Sequence, residues 1–222
     1  MKVPFNGWYE GMPQYLPCFA LALIVTAALW YVGHPWWSVP LWLLAFGMLL
    51  FFRDFPRYAD VAPDELIAPA DGTVVAIEDL EETPHYDGAT RRISIFMSVF
   101  NAHVNRAPFD GTVRDIRHKP GTYKNAMDPE SSKVNESNAL WLDTERGLVT
   151  VRQISGAVAR RIVCRAEPGM RLIRGEKFGM IKFGSRVEVY CPPGTEAVVA
   201  VGDKTRAGVT VLARFHETPP QK

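Results

Sequence analysis

"GMIKFGSRVEVY" (179–190) decides how this chain is read. Ile181 and Phe183 alternate with polar neighbours, and beyond Gly184-Ser185 the residues Val187 and Val189 alternate with Arg186 and Glu188. Period-two alternation of this kind marks half-buried strands. A glycine inside such a pattern marks a bulge, a tight bend or a close approach to the backbone. Taken alone, Gly184-Ser185 reads as the corner of a hairpin.

Similar short runs, rich in Val and Ile, lie on both sides. They are "GTVVAI" (72–77), "RISIFMSVF" (92–100), "LVTVRQI" (148–154), "ARRIVCRA" (159–166), "EAVVAV" (196–201) and "TVLARF" (210–215). Glycine, proline and aspartate separate them, and no long apolar 3.6 period appears among them. The expectation is a mainly β fold, α+β at most, with one β-rich domain over 53–222. "DPESSKVNESNAL" (128–140) is polar and reads as a long loop of a length that is often functional.

The first 52 residues differ. From Gly11 to Phe52 there is no Asp, Glu, Lys or Arg. "LPCFALALIVTAALWYVG" (16–33) is long enough for a membrane helix, and "LWLLAFGMLLFF" (41–52) is apolar but short. "HPWWSVP" between them supplies prolines for a turn and tryptophans for an interface. Residues 1–52 therefore read as a membrane-associated helical hairpin. Lys2 before it and Arg53 and Arg57 after it place both ends, and the β-rich domain, on the cytoplasmic side of the inner membrane.

The overall charge is nearly balanced, with 25 Lys and Arg against 24 Asp and Glu, so no field draws in nucleic acid. Cys18, Cys164 and Cys191 are widely spaced and form no C-x-x-C pair, and the histidines do not cluster at ligand spacing. Neither a metal site nor a disulfide framework is expected. "GDKTRAG" (202–208) lacks phosphate-loop spacing, and no dinucleotide fingerprint is present.

Three places remain for chemistry: Asp71 in "APADGTVV" (68–75), the group Asn101, His103, Asn105 and Arg106 at the end of an apolar strand, and Gly184-Ser185. An Asp-Gly turn alone accounts for the first, and a structural histidine for the second. Strand residues follow Ser185, so there is no G-x-S-x-G elbow and ordinary serine hydrolysis is disfavoured.

"PADG", "FMSVFNAHVNRAP" and "GEKFGMIKFGSRVEVY", preceded by "FFRDFPR" and taken in this order, resemble the phosphatidylserine decarboxylase family, most closely its short members. The resemblance covers about Phe51 to the C-terminus and implies that the Gly184-Ser185 bond cuts itself. Ser185 Oγ would attack the Gly184 carbonyl to give an ester. Elimination and hydrolysis would then leave a pyruvoyl group at former Ser185, with a large chain (1–184) and a small chain (185–222). No metal and no pyridoxal phosphate are implied. The ketone would condense with the amine of a serine phospholipid and act as an electron sink for loss of carbon dioxide. His103 matches the proton donor, and Asp71 the aspartate that helps activate the serine. Phe96, Val99 and Phe100 would exclude water.

Longer members carry a second histidine where this chain has Arg106, which stays protonated and cannot serve as a base. His103 serving both steps, and Asp71 acting through water, stay open as bases for cleavage. Arg106 suits the lipid phosphate or carboxylate. Asn135, Glu136 and Asn138 correspond to a family segment near the active site. Two rival readings are a biotinyl or lipoyl carrier attached at Lys182, with "VGDKTRAGVTVLARF" (201–215) as its closing hairpin, and a non-catalytic membrane-anchored binding domain. Tail chemistry (phosphatidylserine or archaetidylserine) and oligomeric state, a homo-oligomer included, stay open.

Overall fold

The computed structural model describes residues 5–157, 161–182 and 184–216. Lys2, Phe183 and the first two residues of the run expected at 159–166 lie outside these. The chain divides into two compact units, Met1–Phe55 and Pro56–Lys222.

The first unit is helical. α1 (Gly7–Tyr31) starts at Asn6, whose side-chain oxygen accepts from the Trp8 amide at 3.0 Å and satisfies one of the free donors of the first turn. A 3-10 turn (Pro35–Ser38) leads into α2 (Val39–Phe51). The two helices pack through Phe19 against Trp42 and Phe46, and Trp42 Nε1 donates to Thr26 Oγ1 at 2.9 Å. Leu21, Leu23, Ile24, Trp30, Leu43 and Leu44 are each more than half exposed. Among the described residues, α1 is the one helix long and apolar enough to cross a membrane.

The second unit is built from antiparallel strands. In chain order these are β1 (Glu65–Ile67), β2 (Gly72–Leu80), β3 (Thr90–Met97), β4 (Val104–Arg106), β5 (Gly111–Lys119), β6 (Ser137–Thr144) and β7 (Gly147–Ser155). They continue with β8 (Arg161–Cys164), β9 (Arg171–Leu172), β10 (Lys177–Lys182), β11 (Ser185–Cys191), β12 (Glu196–Ala197), β13 (Lys204–Thr205) and β14 (Val211–Arg214). An eight-stranded sheet has the order β13-β2-β3-β11-β7-β6-β5-β9, and two three-stranded sheets have the orders β4-β10-β8 and β1-β14-β12. The mainly β expectation holds. Val74, Ile93, Ile95, Val149, Val151, Val187 and Val189 form the centre of the core beneath the large sheet.

β11 is central in that sheet, and all of its residues are buried. Its non-core face is ionic. Glu188 is fully buried, 3.3 Å from Arg152, 3.8 Å from Arg92 and 3.9 Å from Arg186, and it accepts from the Tyr190 hydroxyl at 2.7 Å. Burial is the largest influence on Arg186, lowering its pKa, while Glu188 acts in the opposite direction.

The structure differs from the sequence reading in three places. Residues 128–140 are not one long loop: a short helix, α3 (Ser131–Val134), and the start of β6 fall within them. Asp128, Glu130 and Lys133 are exposed, but Ser132, Asn135, Ser137 and Asn138 are buried, and Arg152 on β7 donates to Ser132 Oγ at 3.3 Å and to Ser137 Oγ at 3.1 Å. For those four residues polarity reports internal pairing, not exposure. The run 196–201 yields only the two-residue β12. Finally, β10 and β11 lie in different sheets, so Gly184-Ser185 is a crossing between sheets and not a hairpin corner.

Two predictions follow from the ionic face. Glu188→Ala leaves Arg152 buried beside uncompensated charge and costs about 3–5 kcal/mol, read as a lower unfolding midpoint of the detergent-solubilised chain. Burial, then the charge of Arg152, pushes the His85 imidazole down to about 4. The unfolded chain therefore binds this proton more readily than the folded one, so stability present above about pH 6.5 is lost as the pH falls toward 4. His85→Gln flattens that part of the profile.

Candidate functional site

Gly184 has φ +58°, a left-handed conformation that disfavours any residue carrying a Cβ. That geometry lets the chain leave β10 and enter β11 in another sheet. Gly156, just after β7, makes room for the junction. A Cβ there would lie 2.4 Å from the Gly184 carbonyl oxygen and 3.1 Å from its carbon. The peptide whose carbonyl the neighbouring serine would attack is thus packed directly against a second glycine.

Ser185 opens β11 and is fully buried. It pairs with Met97 on β3 and with Ser155 on β7, and its hydroxyl donates to Met97 Sδ at 3.3 Å. A polar relay leads away from Met97. Asn105 Nδ2 lies 3.9 Å from the same sulfur, Gln153 donates to Asn105 Oδ1 at 2.9 Å, and Asn138 donates to Gln153 Oε1 at 3.2 Å. All three amides are buried, and they tie the large sheet to β4.

His103 is fully buried just before β4, and its carbonyl accepts from the Ile181 amide at 3.3 Å. The turn that delivers it is held by Asn101, whose side-chain oxygen accepts from both the amide and the hydroxyl of Ser98 at 2.8 Å. The histidine therefore stands level with Ile181, on the strand that runs into the Gly184 crossing. In the same turn Phe100 is 85% exposed and Val99 is 42% exposed. These two rim the region and do not seal it.

Asp71 is buried and held on several sides. Both of its oxygens accept from Arg57, Nη2 reaching Oδ2 at 2.9 Å, and Oδ1 also accepts from the Ala207 amide at 2.7 Å. Arg106 is buried and donates to the Gly175 carbonyl at 2.9 Å. With Arg57, Arg174 and Lys177 it lines a cleft of 500 Å³, to which Ser185 does not contribute. Asn135 is fully buried. Its Oδ1 accepts from the Lys124 amide at 2.8 Å, and its Nδ2 donates to the carbonyls of Lys124 and Ser155, both at 2.8 Å. It clamps the 122–125 loop to the residue opposite Ser185.

The structure thus brings Ser185, Gly184 and Asn135 to one place, with His103 just before β4 of the adjoining sheet, and groups Asp71 with Arg57 and Arg106 on another wall. Met97, Ser155, Gly156 and Gln153 were not singled out from the sequence. Only strand register shows that they flank Ser185. Lys182 is buried within β10, paired with Arg161, whereas a carrier lysine must stand at an exposed tip.

A Gly-Ser crossing packed on a second glycine, with its serine fully buried and a buried histidine bonded through its carbonyl to the strand that leads into it, stands at the centre of this β domain. The family model for phosphatidylserine decarboxylase matches residues 44–213. The chain is 46% identical over 207 residues to the phosphatidylserine decarboxylase proenzyme of Nitrosomonas eutropha, covering 93% of this chain and 94% of that one. It is 46% identical over 208 residues to the Nitrosomonas europaea proenzyme and 44% identical over 207 to that of Magnetococcus marinus, with the same coverage. The chain belongs to the phosphatidylserine decarboxylase family.

If the 184–185 link is cut, as the family resemblance implies, Gly156→Ala displaces the Gly184 carbonyl and is expected to slow that cleavage by about 10²-fold, the order expected for a misplacement near 1 Å. The uncut fraction on a denaturing gel, followed over time, measures it.

Proposed function

We propose that this chain converts phosphatidylserine to phosphatidylethanolamine after cutting itself between Gly184 and Ser185. One observation carries the reading: a fully buried serine whose preceding carbonyl is set, by glycine at 184 and 156, in a left-handed crossing between sheets.

In the first reaction Ser185 Oγ adds to the Gly184 carbonyl carbon and the peptide becomes an ester. His103 is the group we assign as base, because the Asp71 oxygens are already occupied by Arg57 and Ala207. Asp71 then holds Arg57 and the Ala207 turn in place. Loss of the upstream chain leaves a large chain of residues 1–184 and a small one of 185–222. The surroundings of Ser185 suit a small neutral keto cap: the side chain packs on a thioether and faces a hydroxyl, and both neighbours are buried. Such a pyruvoyl cap supplies a ketone that condenses with the substrate amine and takes up the electrons released with carbon dioxide.

His103 then delivers a proton to the carbon that bore the carboxylate. Arg106, beside Arg57 in the 500 Å³ cleft, offers a planar fork to phosphate or carboxylate. Phe100 at the rim offers its exposed ring to the lipid. Asn135 acts by position, through its bond to the Ser155 carbonyl.

The substrate also gives the helical unit a purpose. Lifting a diacyl lipid out of a bilayer forfeits about 0.8 kcal/mol per buried methylene. An anchor made of α1 and α2, exposing leucine and tryptophan to acyl chains, lets the β domain work on a headgroup that never leaves the surface.

Mass spectrometry of the purified protein tests the reading, with two fragments and a keto-capped small chain expected. Ser185→Ala stays whole at 24.9 kDa. His103→Ala slows both cleavage and carbon dioxide release from serine lipids, each by about 10²–10⁴-fold. A parent chain that stays intact, with an ordinary serine at 185, would refute the proposal.

A further inference from the structure

Ser155 ends β7 and is the direct antiparallel partner of Ser185. Residues so opposed project from the same face of a sheet, with Cβ atoms roughly 4.5–5.5 Å apart. Both serines are fully buried. The backbone of Ser155 is fixed on two sides: its amide donates to the Glu136 carbonyl at 2.9 Å, and its carbonyl accepts from Asn135 Nδ2 at 2.8 Å. Its hydroxyl, by contrast, has no hydrogen-bond partner among the described residues. Buried hydroxyls are almost always paired, and one left uncommitted beside a nucleophile calls for an explanation.

The state of Ser185 supplies one. Its hydroxyl donates to the Met97 thioether, a weak acceptor that cannot hold an attacking group in place. A better acceptor stands on the opposite neighbour, Ser155. Rotation of one or both side chains would exchange sulfur for oxygen. Gly156, which follows Ser155, already packs on the Gly184 carbonyl. The same two residues would then fix both partners of the reaction.

We propose that Ser155 is a positioning residue for self-cleavage. Its oxygen accepts the Ser185 O–H and so aims a lone pair of Ser185 Oγ at the Gly184 carbonyl carbon. The inference rests on the reading that the Gly184–Ser185 link is cut. In that step the Ser185 proton passes from its contact with Ser155 to the base assigned above, His103, as the Oγ–C bond to Gly184 forms. The C–N bond then breaks and the nitrogen takes up the proton, leaving an ester and a free amine of unchanged composition. Ser155 keeps its own proton throughout, and its contribution is orientation.

The test follows cleavage of the full chain after cell-free synthesis into detergent, by denaturing gel against time, with thermal unfolding of each variant alongside. Ser155→Ala removes the hydroxyl without crowding and is expected to slow cleavage at least tenfold with an unchanged midpoint. Ser155→Thr and Ser155→Val are isosteric, so the effect of an added branch is common to both and only the hydroxyl separates them. The threonine variant is expected to cut at least tenfold faster than the valine one. Parent-like cleavage by Ser155→Ala, or equal rates in the isosteric pair, overturns the proposal while leaving the cleavage reading intact. A parent chain that is never cut overturns both.

Discussion

The carbonyl of Gly184 lies where a side chain on residue 156 would have to be, and the rest of the site depends on that contact. It fixes where the chain leaves β10, and the left-handed φ at Gly184 fixes the direction in which it enters β11. Ser185 is then committed to the first position of the central strand, with Met97 on one side and Ser155 on the other. A glycine at 184 is demanded by backbone conformation, and one at 156 by the space its neighbour occupies. The two requirements are independent, yet they converge on one peptide bond.

Two kinds of buried polarity hold the β unit around this bond. On the core side the Asn105-Gln153-Asn138 chain joins two sheets across the region of the crossing. On the other side Glu188 gathers Arg92, Arg152 and Arg186. Buried ion clusters are poor sources of net stability, because desolvation offsets most of their attraction. Strand order makes this one hard to avoid. β11 is flanked on both edges and covered on both faces, so every charge on its sequence is carried inside.

Much of this is legible in the amino-acid sequence. Short runs rich in valine and isoleucine mark β2, β3, β7 and β11, and the uncharged stretch before Arg53 marks the helical unit. Motif order brought Asp71, His103 and Ser185 into one account. What stayed hidden depends on pairing between distant segments. Ser155 and Gly156 look like the ordinary end of a strand until register puts them opposite Ser185 and Gly184. Asn135 and Asn138 read as loop residues because their composition is polar, and only their partners reveal that they are interior. Asp71 and Arg57 are fourteen residues apart, and nothing in the spacing announces their bond.

The central place of β11 has a mechanical consequence. If the backbone is severed at its first residue, the shorter piece keeps a seven-residue strand bonded along both edges, to β3 and to β7. It also keeps β13 and β14, each laid against strands of the longer piece. Release would mean tearing the sheet down its middle. Two fragments made by such a cut would therefore stay interlocked, held by the hydrogen bonds of a strand whose two edges both belong to the other piece.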